Sequence, residues 1–279
     1  MPPRGAVITS TANSRVKLVR ALRARRERER TGLAWVEGIR ATVEALQLGA
    51  AIHALVVAPD LLDSDFARDA VAQAAARGVE VLDVSSAVFR SLSGRDGPQG
   101  LGAIVRQQWR SLDDVRPAEG DCWVALASVA DPGNLGTVLR TCDGAGAEGV
   151  ILLDASTDPY DPAAMRASMG AVFSRNLVRA SFDAFAAWAR AAGATVVGAS
   201  DRAPESYRDA DYGSRTVLLM GSEREGLTTE QQSACDRMVS IPMRGRADSL
   251  NLAVATSILL YEVLEHREAK MSGTPGGAS

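Results

Sequence analysis

Three short segments hold residue types that could do chemistry. In the first, VADPGNLGTVLRTCDGAG (129–146), Pro132 and Gly133 form a turn before Asn134 at a helix start. Leu135, Val138, Leu139, Cys142 and Ala145 then share a stripe that must face a core. Arg140 lies about 100° or more from the middle of that stripe, free to project toward a ligand. Its fork of donors suits a phosphate, although most helix arginines are plain surface residues. The second, LLMGSEREGLT (218–228), stops an apolar strand at Gly221, where backbone can approach a ligand closely, and continues with Glu223, Arg224 and Glu225. An ordinary strand-to-helix turn has the same composition. The third, IPMRGRADSLNLAVATSILLYEVL (241–264), offers Ser249 as a helix cap. Leu250, Ala253, Val254, Ser257, Tyr261 and Leu264 follow on one face, and the small Ala253, Ala255 and Ser257 permit close packing with a second subunit. Asn251 is polar among apolar neighbours and needs a hydrogen-bond partner if buried, structural or substrate. GAGAEG (144–149) imitates a dinucleotide fingerprint, but it closes a helix and leads into a strand, the reverse of the required order.

The chain around these segments has 279 residues, 46% apolar and 23% charged, which leads to an expectation of two globular domains and argues against disorder. No apolar run approaches the roughly 18 residues that cross a bilayer, and no signal core opens the chain, so a cytoplasmic protein is expected. Three cysteines without a CxxC pair and two histidines give no metal pattern and no disulfide framework. Formal charge is −3, but residues 1–40 hold ten Lys/Arg against three Glu. The remainder is correspondingly acidic. A basic start on an acidic body suggests a polyanion held at one end, and a solvated, charge-laced helix is the plain alternative.

Periodicity places the segments. Residues 14–30 read as one helix capped by Ser14, 33–38 as a strand, 39–48 as a helix, 52–58 as a strand, 65–76 as a helix, and 79–84 and 101–107 as strands. Pro117 and Gly120 break a stretch that reads as a linker. Beyond it come strands at 122–129, 149–154, 194–200, 216–222 and 238–243, and helices at 134–146, 182–192 and 249–267. This alternation specifies an α/β fold with a mostly parallel sheet, whose ligands sit beyond the carboxyl ends of the strands. The expected organisation is a first α/β unit at 1–112, a linker at 113–120, a second α/β unit at 121–270 and a disordered tail at 271–279.

Taken together and in this order, the three segments resemble the SpoU/TrmH branch of the SPOUT methyltransferases. Asn134 through Arg140 look like that family's first motif, Gly221, Glu223, Gly226 and Leu227 like its second, and Ser249, Leu250 and Asn251 like its third. YDPAAMRASMGAVFS (160–174) also matches, and the likeness spans residues 122–267. Trp35, Val36, Glu37 and Gly38 are similar to the ribosomal-protein-like RNA-binding α/β domain often fused to this family.

The resemblance implies a trefoil-knotted catalytic domain that works as a homodimer. It implies S-adenosylmethionine as cofactor, held by Ala199, Ser200, Met220, Gly221, Ile241, Met243, Ser249 and Leu250. The implied reaction is methylation of an RNA ribose 2′-hydroxyl, in 23S ribosomal RNA by preference, with no metal and no membrane. Asn134, Arg140, Glu223, Ser249 and Asn251 would serve catalysis, Arg140 by steering phosphate and stabilising the developing alkoxide. Glu223 would either accept the proton or orient its neighbours. Arg15, Lys17, Arg23 and Arg26 would grip the RNA backbone. A transfer-RNA methyltransferase and a noncatalytic RNA-binding protein are the alternatives. A nucleotide-dependent oxidoreductase would need the strand-first glycine fingerprint, which is absent.

Overall fold

A computed structural model describes residues 6–94 and 96–271. Of the tail expected at 271–279, all but Met271 lies outside the described residues. Along the chain run α1 (Ser14–Ala21), α2 (Arg25–Thr31), β1 (Leu33–Glu37), α3 (Ile39–Gln47), β2 (Ile52–Val57), α4 (Asp65–Ala76), β3 (Val81–Asp83), α5 (Ser86–Leu92) and β4 (Leu101–Arg106). They are followed by β5 (Cys122–Ala127), α6 (Pro132–Gly144), β6 (Gly149–Leu153), α7 (Pro162–Ser168), α8 (Ala171–Ser174), β7 (Asn176–Ala180) and α9 (Phe182–Ala192). The last elements are β8 (Thr195–Ala199), β9 (Glu205–Ser206), β10 (Thr216–Met220), α10 (Thr229–Ser233), β11 (Arg237–Ser240) and α11 (Leu252–Met271).

Two units form. The first comprises Met1–Gln108 and Tyr160–Ser174, so α7 and α8 join it from the middle of the sequence. Its sheet has the order β1-β4-β2-β3, with β4 antiparallel to both neighbours and β2 parallel to β3. Val16, Val19 and Leu22 of the first helical stretch pack with Val88, Phe89 and Leu92 of α5 against Ala54, Val56 and Ile104 of the sheet. That burial drives the unit's assembly.

The helix expected over 14–30 is two helices. Ala24 is extended, with φ −86° and ψ 131°, and the chain restarts at Arg25. Arg28, only 2% exposed, accounts for the break. Its guanidinium donates to the carbonyls of Leu22 at 3.0 Å and Arg23 at 2.8 Å, both freed when α1 ends, and lies 3.5 Å from the Asp161 carboxylate. The cap of α1 is Asn13 rather than Ser14, its side chain accepting from the Arg15 amide at 2.8 Å.

The second unit, Trp109–Pro159 with Arg175–Ser279, holds seven strands in the order β7-β6-β5-β10-β8-β11-β9. Every ladder in it is parallel. Parallel strands put all their carboxyl ends on one edge, so the loops after β5, β10, β8 and β11 gather there. Sheet residues Trp123, Ala125, Ile151, Val178, Val217 and Leu219 meet Phe185 and Ala189 of α9 in the core. On α11 the buried residues are Leu252, Ala253, Leu259, Leu260 and Val263 with Thr256. Val254 and Tyr261 are 47% and 49% exposed, so the face expected to be apolar and buried is turned by part of a revolution. No described helix is long and apolar enough to cross a membrane.

Candidate active site

The gathered edge of the second sheet contains a chain of hydrogen bonds that joins all three sequence segments. It starts where β5 ends. Ser128 takes a left-handed φ of 55°, and the amides of Ala130 and Asp131 both donate to the Glu223 carboxylate at 3.1 Å. Asp131 caps α6 by accepting from the Asn134 amide at 2.7 Å. Asn134 Nδ2 donates to Glu223 Oε1 at 3.3 Å, and Asn134 Oδ1 accepts from Asn251 Nδ2 at 2.9 Å. Asn251 Oδ1 in turn accepts from the amides of Ala253 and Val254 at 2.9 and 3.3 Å. Asn251, not Ser249, therefore caps α11. Each amide has its donor and acceptor ends assigned, so the network admits one orientation throughout.

Partial burial tends to raise the Glu223 pKa. The amides of Ala130, Glu223 itself and Asp131, with the Asn134 side chain, outweigh that and hold it below the usual carboxylate range. A carboxylate surrounded by donors is a poor proton acceptor and a good anchor.

The Glu223 loop is closed on itself. Ser222 and Gly226 exchange two backbone hydrogen bonds of 3.1 Å. Gly221 lies under that closure, where an added Cβ would sit 2.0 Å from the Gly226 carbonyl carbon and 2.3 Å from its oxygen. Glycine is required there by backbone contact.

Beside this loop the ladder ends bring the expected cofactor residues to one edge. Val239 pairs with Ala199, and the Ser200 amide donates to the Val239 carbonyl at 3.0 Å. Met220 and Gly221 are buried, Ala199, Ser200, Ile241, Met243 and Leu250 are half-buried, and Ser249 is exposed. This lining of small and apolar side chains with strand-end backbone fits a ligand combining a flat heterocycle with a polar tail. Among the described residues no group of three or more His, Cys, Asp or Glu could hold a metal ion. Burial pushes the thiols of Cys122 and Cys235 up to about 12, so neither is a nucleophile at neutral pH.

Arg140 is exposed on α6, six residues beyond Asn134, which is about 9 Å along the helix. No hydrogen bond or ion pair of its side chain occurs among the described residues. In the first unit, Lys17 and Arg26 are exposed. Arg15 is paired with Glu80 at 2.9 Å, and Arg23 donates to the carbonyls of Leu92 at 2.7 Å and Ser93 at 2.9 Å. Two of the four expected RNA contacts thus already have partners within the fold. Glu37 accepts from the Ser93 hydroxyl and from the Gly94 amide at 2.9 Å, fastening the glycine-rich loop that follows α5. Sequence reasoning missed the roles of Asp131 and Arg28. The Asp-Pro-Gly turn was a usable signal for the first, whereas nothing local marks the second.

Comparison with known proteins gives a consistent set of likenesses. The model of the SpoU rRNA Methylase family matches residues 121–261, and that of the MRM3-like substrate binding domain matches residues 13–103. A 23S rRNA (uridine(2479)-2′-O)-methyltransferase of Streptomyces viridochromogenes is 31% identical over 98% of this chain and 96% of its own. A 23S rRNA (guanosine(2553)-2′-O)-methyltransferase of Bacillus subtilis is 27% identical over 92% of this chain and 98% of its own. The crystal structure of an AdoMet-bound rRNA methyltransferase from Sinorhizobium meliloti superposes with a TM-score of 0.85 at 41% identity, covering 94% of this chain and 98% of that one.

Proposed function

The chain belongs to the SpoU rRNA methylase family of S-adenosylmethionine-dependent RNA 2′-O-methyltransferases, and we propose that its site works through Arg140 on a frame set by Glu223, Asn134 and Asn251. The observation that carries this reading is the unbroken hydrogen-bond chain from the Ala130 and Asp131 amides through Glu223 and Asn134 to Asn251. It fixes, at one sheet edge, the helix that bears Arg140, a group suited to meet a phosphate and a developing alkoxide.

When bound, S-adenosylmethionine supplies an electrophilic methyl carbon for the ribose 2′-oxygen. Ala199, Ser200, Met220, Gly221, Ile241, Met243, Ser249 and Leu250 would hold it, by strand-end backbone and by apolar contact. The protein's task is positioning and charge stabilisation. The Arg140 guanidinium offers donors and no acceptor, so it neutralises the 2′-oxygen while the proton passes to solvent water. Glu223 orients Asn134 and the loop before α6. Lys17 and Arg26, free of the partners that Arg15 and Arg23 have, would carry the larger share of backbone grip in the basic N-terminal unit.

The substrate we propose is 23S ribosomal RNA, on the strength of what the Streptomyces and Bacillus relatives modify. We place the protein in the cytoplasm, with that RNA. A homodimer completes the reading, formed through the exposed Val254 and Tyr261 face of α11. The knot the family resemblance implies is part of it, supported by the placing of β10 between β5 and β8 and of β11 beyond β8.

The test is transfer of tritiated methyl groups to an unmodified 23S rRNA transcript, with mapping of the methylated ribose. Label at a 2′-oxygen, lost on Arg140→Ala while calorimetric affinity for S-adenosylmethionine is kept, is the expected result. Label on a base, or full turnover by Arg140→Ala, overturns it.

A further inference from the structure

RNA that presents a ribose at Arg140 must also lay its flanking phosphates along the same sheet edge. The second unit has an acidic sequence overall, so a polyanion there needs dedicated cations. The loop between β11 and α11 provides two. Arg244 and Arg246 stand on either side of Gly245, both exposed. Neither guanidinium has a hydrogen bond or ion pair among the described residues, so neither serves the fold.

The loop is tied at both ends to the site's framework. Where it begins, β11 is in register with β8, and the Ser240 hydroxyl donates to the Glu205 carbonyl at 3.2 Å. Where it ends, Asn251 donates to Asn134 on the helix of Arg140. Its other exposed side chains are Pro242, Ala247, Asp248 and Ser249, none of them a large apolar group. The one carboxylate, Asp248, stands two residues from Arg246 and is not paired with it.

We propose that Arg244 and Arg246 are positioning residues that bind RNA phosphates beside the target nucleotide. This rests on the reading that the second unit methylates RNA, and it moves part of the backbone grip from the N-terminal unit to the catalytic edge. Arginines on a short loop tethered to the site's own framework would fix the register of the strand.

The experiment uses the full chain, an in vitro 23S rRNA transcript and the variants Arg244→Gln/Arg246→Gln and Arg244→Lys/Arg246→Lys. Filter binding over a range of potassium chloride gives the slope of log affinity against log salt. Steady-state methyl transfer gives KM and kcat, and calorimetry gives the affinity for S-adenosylmethionine. In the glutamine pair the slope should fall by about 1 per arginine removed, with RNA KM rising about tenfold or more. Affinity for S-adenosylmethionine and kcat at saturating RNA should stay within about twofold. The lysine pair should restore the slope, because a phosphate accepts a point charge. An unchanged slope overturns the proposal, as does loss of S-adenosylmethionine affinity in step with loss of RNA affinity, which would make the loop a wall of the cofactor site. A wild-type chain that binds the transcript but transfers no methyl group sinks the methyltransferase reading while the slope still judges the loop. A chain that does not bind the transcript at all ends both.

Discussion

In the proposed site, Glu223 and Arg140 would divide the work by charge. The carboxylate faces donors on every recorded side, which holds its pKa down and makes it an anchor. The depressed pKa contributes stability when the pH is above the ordinary carboxylate range, and that contribution is lost as the pH falls through the lower folded value. The melting temperature of Glu223→Gln should therefore lie below wild type at neutral pH, with the gap closing as the solution is acidified. A gap constant with pH, measured calorimetrically, would show that the charge itself does nothing. Methyl transfer by Glu223→Gln should fall through kcat, because Asn134 and the turn before α6 lose their anchor, and wild-type kcat should fall in the same way only when the pH drops through the depressed Glu223 value, since protonation removes the same anchor. At Arg140 the loss is larger. Removing one preorganised donor from a developing oxyanion costs about 10²- to 10³-fold in kcat, so Arg140→Ala should fall in that range in single-turnover methyl transfer. Arg140→Lys keeps the charge but not the fork and should lie between the two.

At the scale of elements, two junctions matter, one in each unit: the close of β10 and the break between α1 and α2. Gly221 ends β10 against the backbone of Gly226, so Gly221→Ala must open the Ser222–Gly226 closure. Overpacking of this kind costs about 1–3 kcal/mol, and affinity for S-adenosylmethionine should drop with it. Gly226→Ala meets open space and strains only a φ of 67°, so it should be the milder variant by melting temperature and by calorimetry. The second junction is the break between α1 and α2. Arg28→Met strips donors from the Leu22 and Arg23 carbonyls and leaves Asp161 without its guanidinium, at a cost of about 3 kcal/mol. That should lower the melting temperature by several degrees, and Asp161→Asn by less. A melting temperature equal to wild type would mean the break is set by something else. The same junctions mark where the sequence is readable. The limits of α4 at 65 and 76 follow from the Ser64 cap and from Gly78, with its φ of 88°, and the sheet strands follow from unbroken apolar runs. The break at Ala24 does not, because residues 14–30 carry helical periodicity throughout and only Arg28's tertiary partners outweigh it. Likewise α7 and α8 are too short for periodicity to reveal, at 7 and 4 residues.

For the whole molecule, the informative feature is a helix whose first turns are apolar on nearly every side. In α11 the residues Leu252, Ala253, Val254, Ala255, Ile258, Leu259, Leu260 and Tyr261 are relieved only by Thr256 and Ser257 before Glu262, which leaves little polar pattern from which a rotation can be inferred. Strand order is similarly hidden, since β10 enters between β5 and β8 through contacts far apart in sequence. The three motif segments were legible as chemistry, but their meeting through Asn134 and Asn251, 117 residues apart, required the fold. The sheet of the second unit takes one face of α11, and the other keeps Val254 and Tyr261 in water, seven residues and two turns apart on one side. Among the described residues of that unit these are the large exposed hydrophobics, which marks the face for a second surface. The homodimer proposed above would supply that surface by two-fold symmetry, α11 against α11. Val254→Arg with Tyr261→Arg puts like charges on both sides of such an interface while leaving the buried face of the helix intact. Sedimentation should then show a dimer for wild type and a monomer for the double variant, with melting of the monomer still cooperative. If the site takes residues from both copies, methyl transfer disappears with the dimer. A wild-type chain that sediments as a monomer at micromolar concentration would refute the assignment of this face.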